Sequence, residues 1–147
     1  MRNLNSQIDP MFDEAIYHVE ADNSRRIKKF NIRFTKANQK YSPEHLEALL
    51  GSYEKAIREV PRQFLRIEKT ARQKYLVPLD EERRRELLKV MTDHVEMLVE
   101  KMNREYRDIF KNQKRLEEFD DRIKDTLITS KQKIWNRNKT KTKLVHE

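Results

Sequence analysis

Cysteine is absent from this 147-residue chain, glycine occurs once, at Gly51, and no apolar run approaches the length of a membrane span. Without cysteine there can be no disulfide, no thiolate zinc site and no cysteine nucleophile, which fits a reducing compartment. With a single glycine the chain lacks the residues that tight hairpin turns and phosphate-cradling loops require, so all-β and α/β folds are disfavoured. A membrane-spanning helix needs about 20 apolar residues, and none is available. Residues 1–23 are acidic and contain no apolar signal core, so they read as neither a secretion signal nor a transit peptide. The expected location is therefore intracellular, cytoplasmic or nuclear.

The most telling absence is local. Residues 24–41 and 126–146 contain no aspartate or glutamate. The first stretch carries Arg25, Arg26, Lys28, Lys29, Arg33, Lys36 and Lys40, and the second Lys131, Lys133, Arg137, Lys139, Lys141 and Lys143. Removing these 13 cations from the 33 leaves 20 to face all 25 acids, a net of −5 in a chain whose total is +8. Charge sorted in this way creates a local field, and such fields select partners.

What the chain does contain is helix-forming sequence. Charged residues make up 39% and hydrophobic residues 36%, which would suit disorder were the apolar residues not placed at a regular period. Asp9-Pro10 supplies a helix start, and Phe12, Ile16 and Val19 follow. Ile27, Phe30, Phe34, Ala37 and Tyr41 continue the stripe after Asn23-Ser24, as one helix or as two with a joint there. Ser42-Pro43-Glu44 starts the next helix. Leu46, Leu50, Tyr53, Ile57, Val60, Phe64, Ile67 and Ala71 step alternately by four and three, the 3.5-residue period of coiled-coil packing. Pro61 falls inside this run and predicts a kink rather than a chain reversal. Val77-Pro78-Leu79-Asp80 predicts a second turn. A third seam runs through Leu88, Met91, Val95, Leu98, Met102, Tyr106, Ile109, Leu116, Phe119, Ile123, Leu127 and Ile134. That helix either projects as a stalk or folds back near Asn112-Gln113, where the seam is polar.

The expected fold is all-α: an elongated antiparallel bundle of three long helices, or four if the third breaks, with coiled-coil character over residues 9–135. Residues 1–8 read as a flexible N-terminus and 136–147 as a basic flexible tail. If the third helix is continuous, the two basic stretches meet in one positive pole. A projecting stalk would also expose Leu116, Phe119, Ile123 and Leu127 as a helix-pairing stripe for a partner helix. If the third helix folds back, the tail reaches the acidic half of helix one and the pole is lost.

No catalytic constellation is apparent. His18, His45, His94 and His146 lack the Glu-x-x-His and H-E-x-x-H spacings of helical metal sites, and no cofactor or metal is expected. The function expected is that of a non-enzymatic assembly or adaptor subunit, homo- or hetero-oligomeric. It would bind helical proteins through its seam and an acidic or polyanionic partner through Arg25, Arg26, Lys28, Lys29, Arg33, Lys36, Lys131, Lys133, Trp135, Arg137, Lys139, Lys141 and Lys143. Trp135, the only tryptophan, is either the last core residue or a partner anchor. The alternative is a DNA- or RNA-binding protein that uses residues 24–41 and 131–143. A membrane-surface role ranks third, because no strongly apolar amphipathic face flanks the tail.

Overall fold

The 3.5-residue seam in the middle of the chain becomes the central helix, and the remaining helices pack around it. The computed structural model describes the backbone of residues 2–75 and 81–146, and the side chains of 10–71, 73–74 and 81–134. Its elements are α1 (Arg2–Lys36), α2 (Pro43–Tyr75), α3 (Glu81–Met102), a π-helical turn (Asn103–Arg107) and α4 (Lys114–His146). The fold is all-α, with no strand among the described residues. All eight seam residues of α2, from Leu46 to Ala71, are buried. At about 1.5–3 kcal/mol per large apolar side chain removed from water, this seam is a substantial part of a core to which every helix contributes.

α2 packs against α1, α3 and α4, and α4 also packs against α3. Near one end of the α1–α2 pair the rings of Phe12 and Phe64 stack at 4.4 Å. Further along, Arg26 reaches Ser52, so α1 and α2 run antiparallel. α4 runs parallel to α2, since Arg115 meets Glu47 and Glu54 while Lys133 lies beside Arg62 and Leu65.

Several helix boundaries differ from the sequence expectation. α1 begins at Arg2, with Pro10 inside it, and it is continuous through Asn23-Ser24. Its end comes early. Asn38 adopts φ 59°, its amide donates to the Thr35 carbonyl, and the Gln39 amide donates to the Phe34 carbonyl. This pair of bonds closes a helix through a left-handed residue, a place that asparagine fills where glycine is missing. Ala37 and Tyr41 therefore fall outside the helix and are exposed. α2 starts at Pro43 as expected, with the Ser42 hydroxyl accepting the His45 amide as a cap. It continues through Pro61 without a reversal. The expected turn at Val77-Pro78-Leu79-Asp80 lies outside the described residues.

The third helix breaks and folds back. After Met102 the π-helical turn admits one extra residue into the phase, so Phe110 is buried and Ile109 exposed, the reverse of the expected seam. In α3 itself Leu87 is the buried residue and Leu88 only half-buried. Asn112 then takes φ 70° and α4 begins at Lys114. The projecting stalk is thus overturned. Leu116, Phe119 and Ile123 are buried and Leu127 packs at the edge of the same core. Their helix pairing is with α2 and α3 of this chain.

α4 is helical through His146 and so enters the segment read as a flexible tail. The side chains of Trp135, Arg137, Lys139, Lys141 and Lys143 lie outside the described residues.

Candidate functional site

Phe12, Ile16, Val19, Asn23, Ile27 and Phe34 mark the inner face of α1. Helical periodicity places Arg25, Lys28, Lys29, Arg33 and Lys36 on the opposite side, and all five are exposed. They span about 17 Å at 1.5 Å per residue. Arg25 pairs with Asp22, one turn earlier, and the Arg33 guanidinium sits 5.7 Å from the Phe34 ring centre. Lys28, Lys29 and Lys36 form no ion pair or hydrogen bond with any described residue. Ile32 lies among these cations with 48% of its surface in water.

Arg26 departs from the expected set because it turns inward. Its Nε donates to the Ser52 hydroxyl at 2.9 Å and a terminal nitrogen donates to the Ser52 carbonyl at 3.2 Å. The Ser52 hydroxyl donates onward to the Asn23 side-chain oxygen at 2.6 Å. Burial lowers the Arg26 pKa from its ordinary value, and the nearby Glu59 carboxylate opposes that shift. Arg26 is therefore a joint between α1 and α2 rather than part of an outer face.

The aromatics interleaved with these cations also point inward. Phe34 is buried and stacks on the His45 ring at 4.8 Å, and Phe30 is half-buried. His45 is itself buried and holds a polar chain together. Its Nδ1 accepts the Tyr41 amide at 2.9 Å, so Nδ1 carries no proton. Nε2–H then donates to the Asn31 side-chain oxygen at 2.8 Å, and the Asn31 amide donates to the Tyr106 hydroxyl at 3.3 Å. Burial, reinforced by Lys40, lowers the His45 pKa and keeps the ring neutral. Tyr41 takes φ 63°, an unusual conformation for an aromatic residue, held by its amide bond to His45 and its ring stacking at 5.9 Å.

The fold-back adds cations that the sequence reading did not single out. The Phe110 ring meets the edge of Tyr41 at 5.9 Å, which brings the 37–42 and 108–113 turns together. Lys40, 4.9 Å over the Tyr41 ring, shares that end with exposed Lys111 and Lys114. Lys101 reaches the Ser24 hydroxyl at 3.4 Å, placing an α3 cation beside the basic half of α1. No local sequence signal pairs Lys101 with Ser24, because only the side-by-side packing of α3 along α1, in the same direction, brings them together.

The C-terminal cations lie elsewhere. Because α4 runs parallel to α2, Lys131 and Lys133 are carried toward the Phe12–Phe64 end, away from Lys28 and Lys36. Both are exposed, and Lys133 borders an open groove of about 390 Å³ with Arg58, Arg62 and Arg122. The single positive pole is lost, as the fold-back alternative required.

A separate set of cations holds the fold-back in place. Arg115 bridges Glu47 at 2.6 Å and Glu54 at 2.8 Å, and Arg122 reaches the second Glu54 oxygen at 3.3 Å. The side chains of Glu54 and Arg115 are only 9% and 14% exposed. Burial alone would lower the Arg115 pKa, but the bonds to Glu47 and Glu54 outweigh it and the pKa rises. Arg107 ties the turn to α4 through Asp120 at 2.8 Å.

Among the described residues no group of three or more His, Asp or Glu could hold a metal ion, and no helix is long and apolar enough to cross a membrane. No family model, curated protein or solved structure matches the chain.

Proposed function

We propose that this chain is a non-enzymatic helical adaptor that docks an acidic protein surface on the outer face of α1. The observation that carries this reading is the set of lysines Lys28, Lys29 and Lys36, which have no ion pair among the described residues and are arranged with Arg33 around exposed Ile32 on a regular helix. Cations in water steer an acidic partner and set its register, and an apolar residue among them supplies area that a partner helix can cover. The inward turn of Phe34 and the half-burial of Phe30 favour a protein over single-stranded nucleic acid, whose bases need exposed aromatic rings. Ile32 alone is too little apolar surface for insertion into a membrane. The seam contributes to this role by making α1 a rigid platform on α2.

The test is fluorescence anisotropy with a labelled glutamate-rich helical peptide and, separately, a DNA duplex, each over a range of salt. The peptide should bind the native chain, and Lys28→Gln/Lys29→Gln/Arg33→Gln should weaken it by roughly tenfold, since three exposed pairs at about 0.5 kcal/mol each sum to that factor. Preference for the duplex, with a log–log salt slope of about one unit per phosphate contact, would favour the DNA- or RNA-binding alternative through residues 24–41 and 131–143. Binding to neither probe would sink both readings.

A further inference from the structure

The charge on α1 is sorted along its length as well as around it. Residues 10–22 carry Asp13, Glu14, Glu20 and Asp22 and no lysine or arginine, whereas residues 24–36 carry only cations. Both halves reach the outer surface. Asp13, Glu14 and Asp22 are exposed in the first, and Arg25, Lys28, Lys29, Arg33 and Lys36 in the second. Each half also presents one apolar side chain to water: Tyr17, 67% exposed, and Ile32, 48% exposed. α1 packs chiefly on α2, so it is an edge helix with a long uncovered side. The helix dipole favours acid first and base last, but it acts only over the terminal turns and leaves both exposed apolar residues unexplained.

We infer that the acidic surface taken by this face is α1 of a second copy, the two helices pairing antiparallel about a twofold axis near Ser24 and Arg25. This deepens the docking role proposed above and rests on it. A twofold interface must be self-complementary, and a helix with one acid-only and one base-only half has that property in the antiparallel sense alone. In a parallel pair, acid would face acid and base would face base. Tyr17 and Ile32 lie equally far, about two turns, on either side of the Ser24–Arg25 midpoint. The same axis therefore sets Tyr17 of each copy opposite Ile32 of the other. Ala21, a small residue, lies between them, and Ser24 at the midpoint is met by Lys101 from the α3 side.

Sedimentation equilibrium at low and high salt tests the association, and the absence of cysteine allows its geometry to be trapped. The native chain should form a dimer that dissociates as salt is raised. Lys28→Glu/Lys29→Glu and Asp13→Lys/Glu14→Lys should each be monomeric, with helicity unchanged because all four sites are exposed. An equimolar mixture of the two variants should recover a dimer. Tyr17→Cys/Ile32→Cys should oxidise to a covalent dimer. The two positions are about 22 Å apart along one helix, too far for a disulfide within a chain. A native chain that stays monomeric at low salt, charge-reversed chains that still dimerise alone, or a mixture that stays monomeric would each overturn the inference. The docking role fails separately. A monomeric native chain that still binds the glutamate-rich peptide removes only the self-pairing. A dimer whose dissociated chains ignore the peptide leaves self-pairing and removes the adaptor role.

Discussion

Two groups of cations in this molecule have opposite roles. Those on the outer half of α1 lie in a stretch without acids and extend into water. Arg107, Arg115 and Arg122 lie in sequence among Asp108, Glu117, Glu118, Asp120 and Asp121, and all three are bonded to carboxylates. The contrast is physical. A partly buried guanidinium is stabilised by a paired acid that offsets its desolvation, and here α2 supplies Glu47 and Glu54 to Arg115 and Arg122 while α4 supplies Asp120 to Arg107. An exposed lysine has no such requirement, so a run of them can be kept for another molecule. The α4 cations hold the fold together, and the α1 cations give it a field.

The sharpest way to break this contrast is to remove the apolar surface that the α4 cations keep in place. Leu116→Asp with Ile123→Asp puts two carboxylates into the core and should destabilise the chain by more than about 4 kcal/mol, with protease cleavage appearing in α4. Urea unfolding measures the loss. If the double variant kept native stability and changed only its oligomeric state, the stripe would be an outer surface after all.

Next in size is the clip itself. Glu54→Gln leaves Arg115 and Arg122 without their shared carboxylate and should cost about 2–3 kcal/mol. Glu47→Gln, at a side chain 62% exposed, should cost no more than about 0.5 kcal/mol. Equal effects in the same urea titration would mean that Glu54 is no better buried than Glu47 and that the clip is an ordinary surface pair.

How far these roles could be read from sequence depends on whether they are local. The α2 seam was legible in full, because eight apolar residues at one period leave a single face to bury. The Ser42 cap and the polar gap at Asn112-Gln113 were legible from residue type. The early end of α1 was not, since Asn38 serves as a left-handed cap only in the bonded turn that forms. The exchange of Ile109 for Phe110 was hidden as well, because a π-helical turn shifts the phase without marking the sequence. For the candidate face, Lys28, Lys29, Arg33 and Lys36 were identified from the missing acids alone. The inward turn of Arg26 depends on Ser52, a partner 26 residues away, which composition does not reveal.

Acidity should separate the two regions further. His45 has a pKa lowered from 6.5, so as pH falls the unfolded chain takes up the proton first. The stability that the neutral ring contributes is complete above pH about 6.5 and is lost as pH drops below it. Protonation at Nδ1 would remove the acceptor for the Tyr41 amide and loosen the end of α1. Hydrogen exchange at the Tyr41 amide, corrected for intrinsic rates, should therefore accelerate below that pH before exchange in α4 does. Protection that stays level from neutral pH to about 5 would show that the ring is not held in this tautomer.

The smallest effect on stability should come from the residues with the largest proposed effect on binding. Lys28→Gln/Lys29→Gln removes two charges that touch no described acid, so the unfolding free energy should change by no more than about 0.5 kcal/mol. The same variant should show a clear loss of affinity for the glutamate-rich peptide, with a shallower dependence on salt. Glu54→Gln should do the reverse, lowering stability while leaving peptide affinity intact at temperatures where the chain stays folded. Measuring stability and affinity on both variants makes the two cation groups separable. If the lysine variant lost as much stability as Glu54→Gln, its charges would have partners within the fold and the α1 field would not be free to recruit anything.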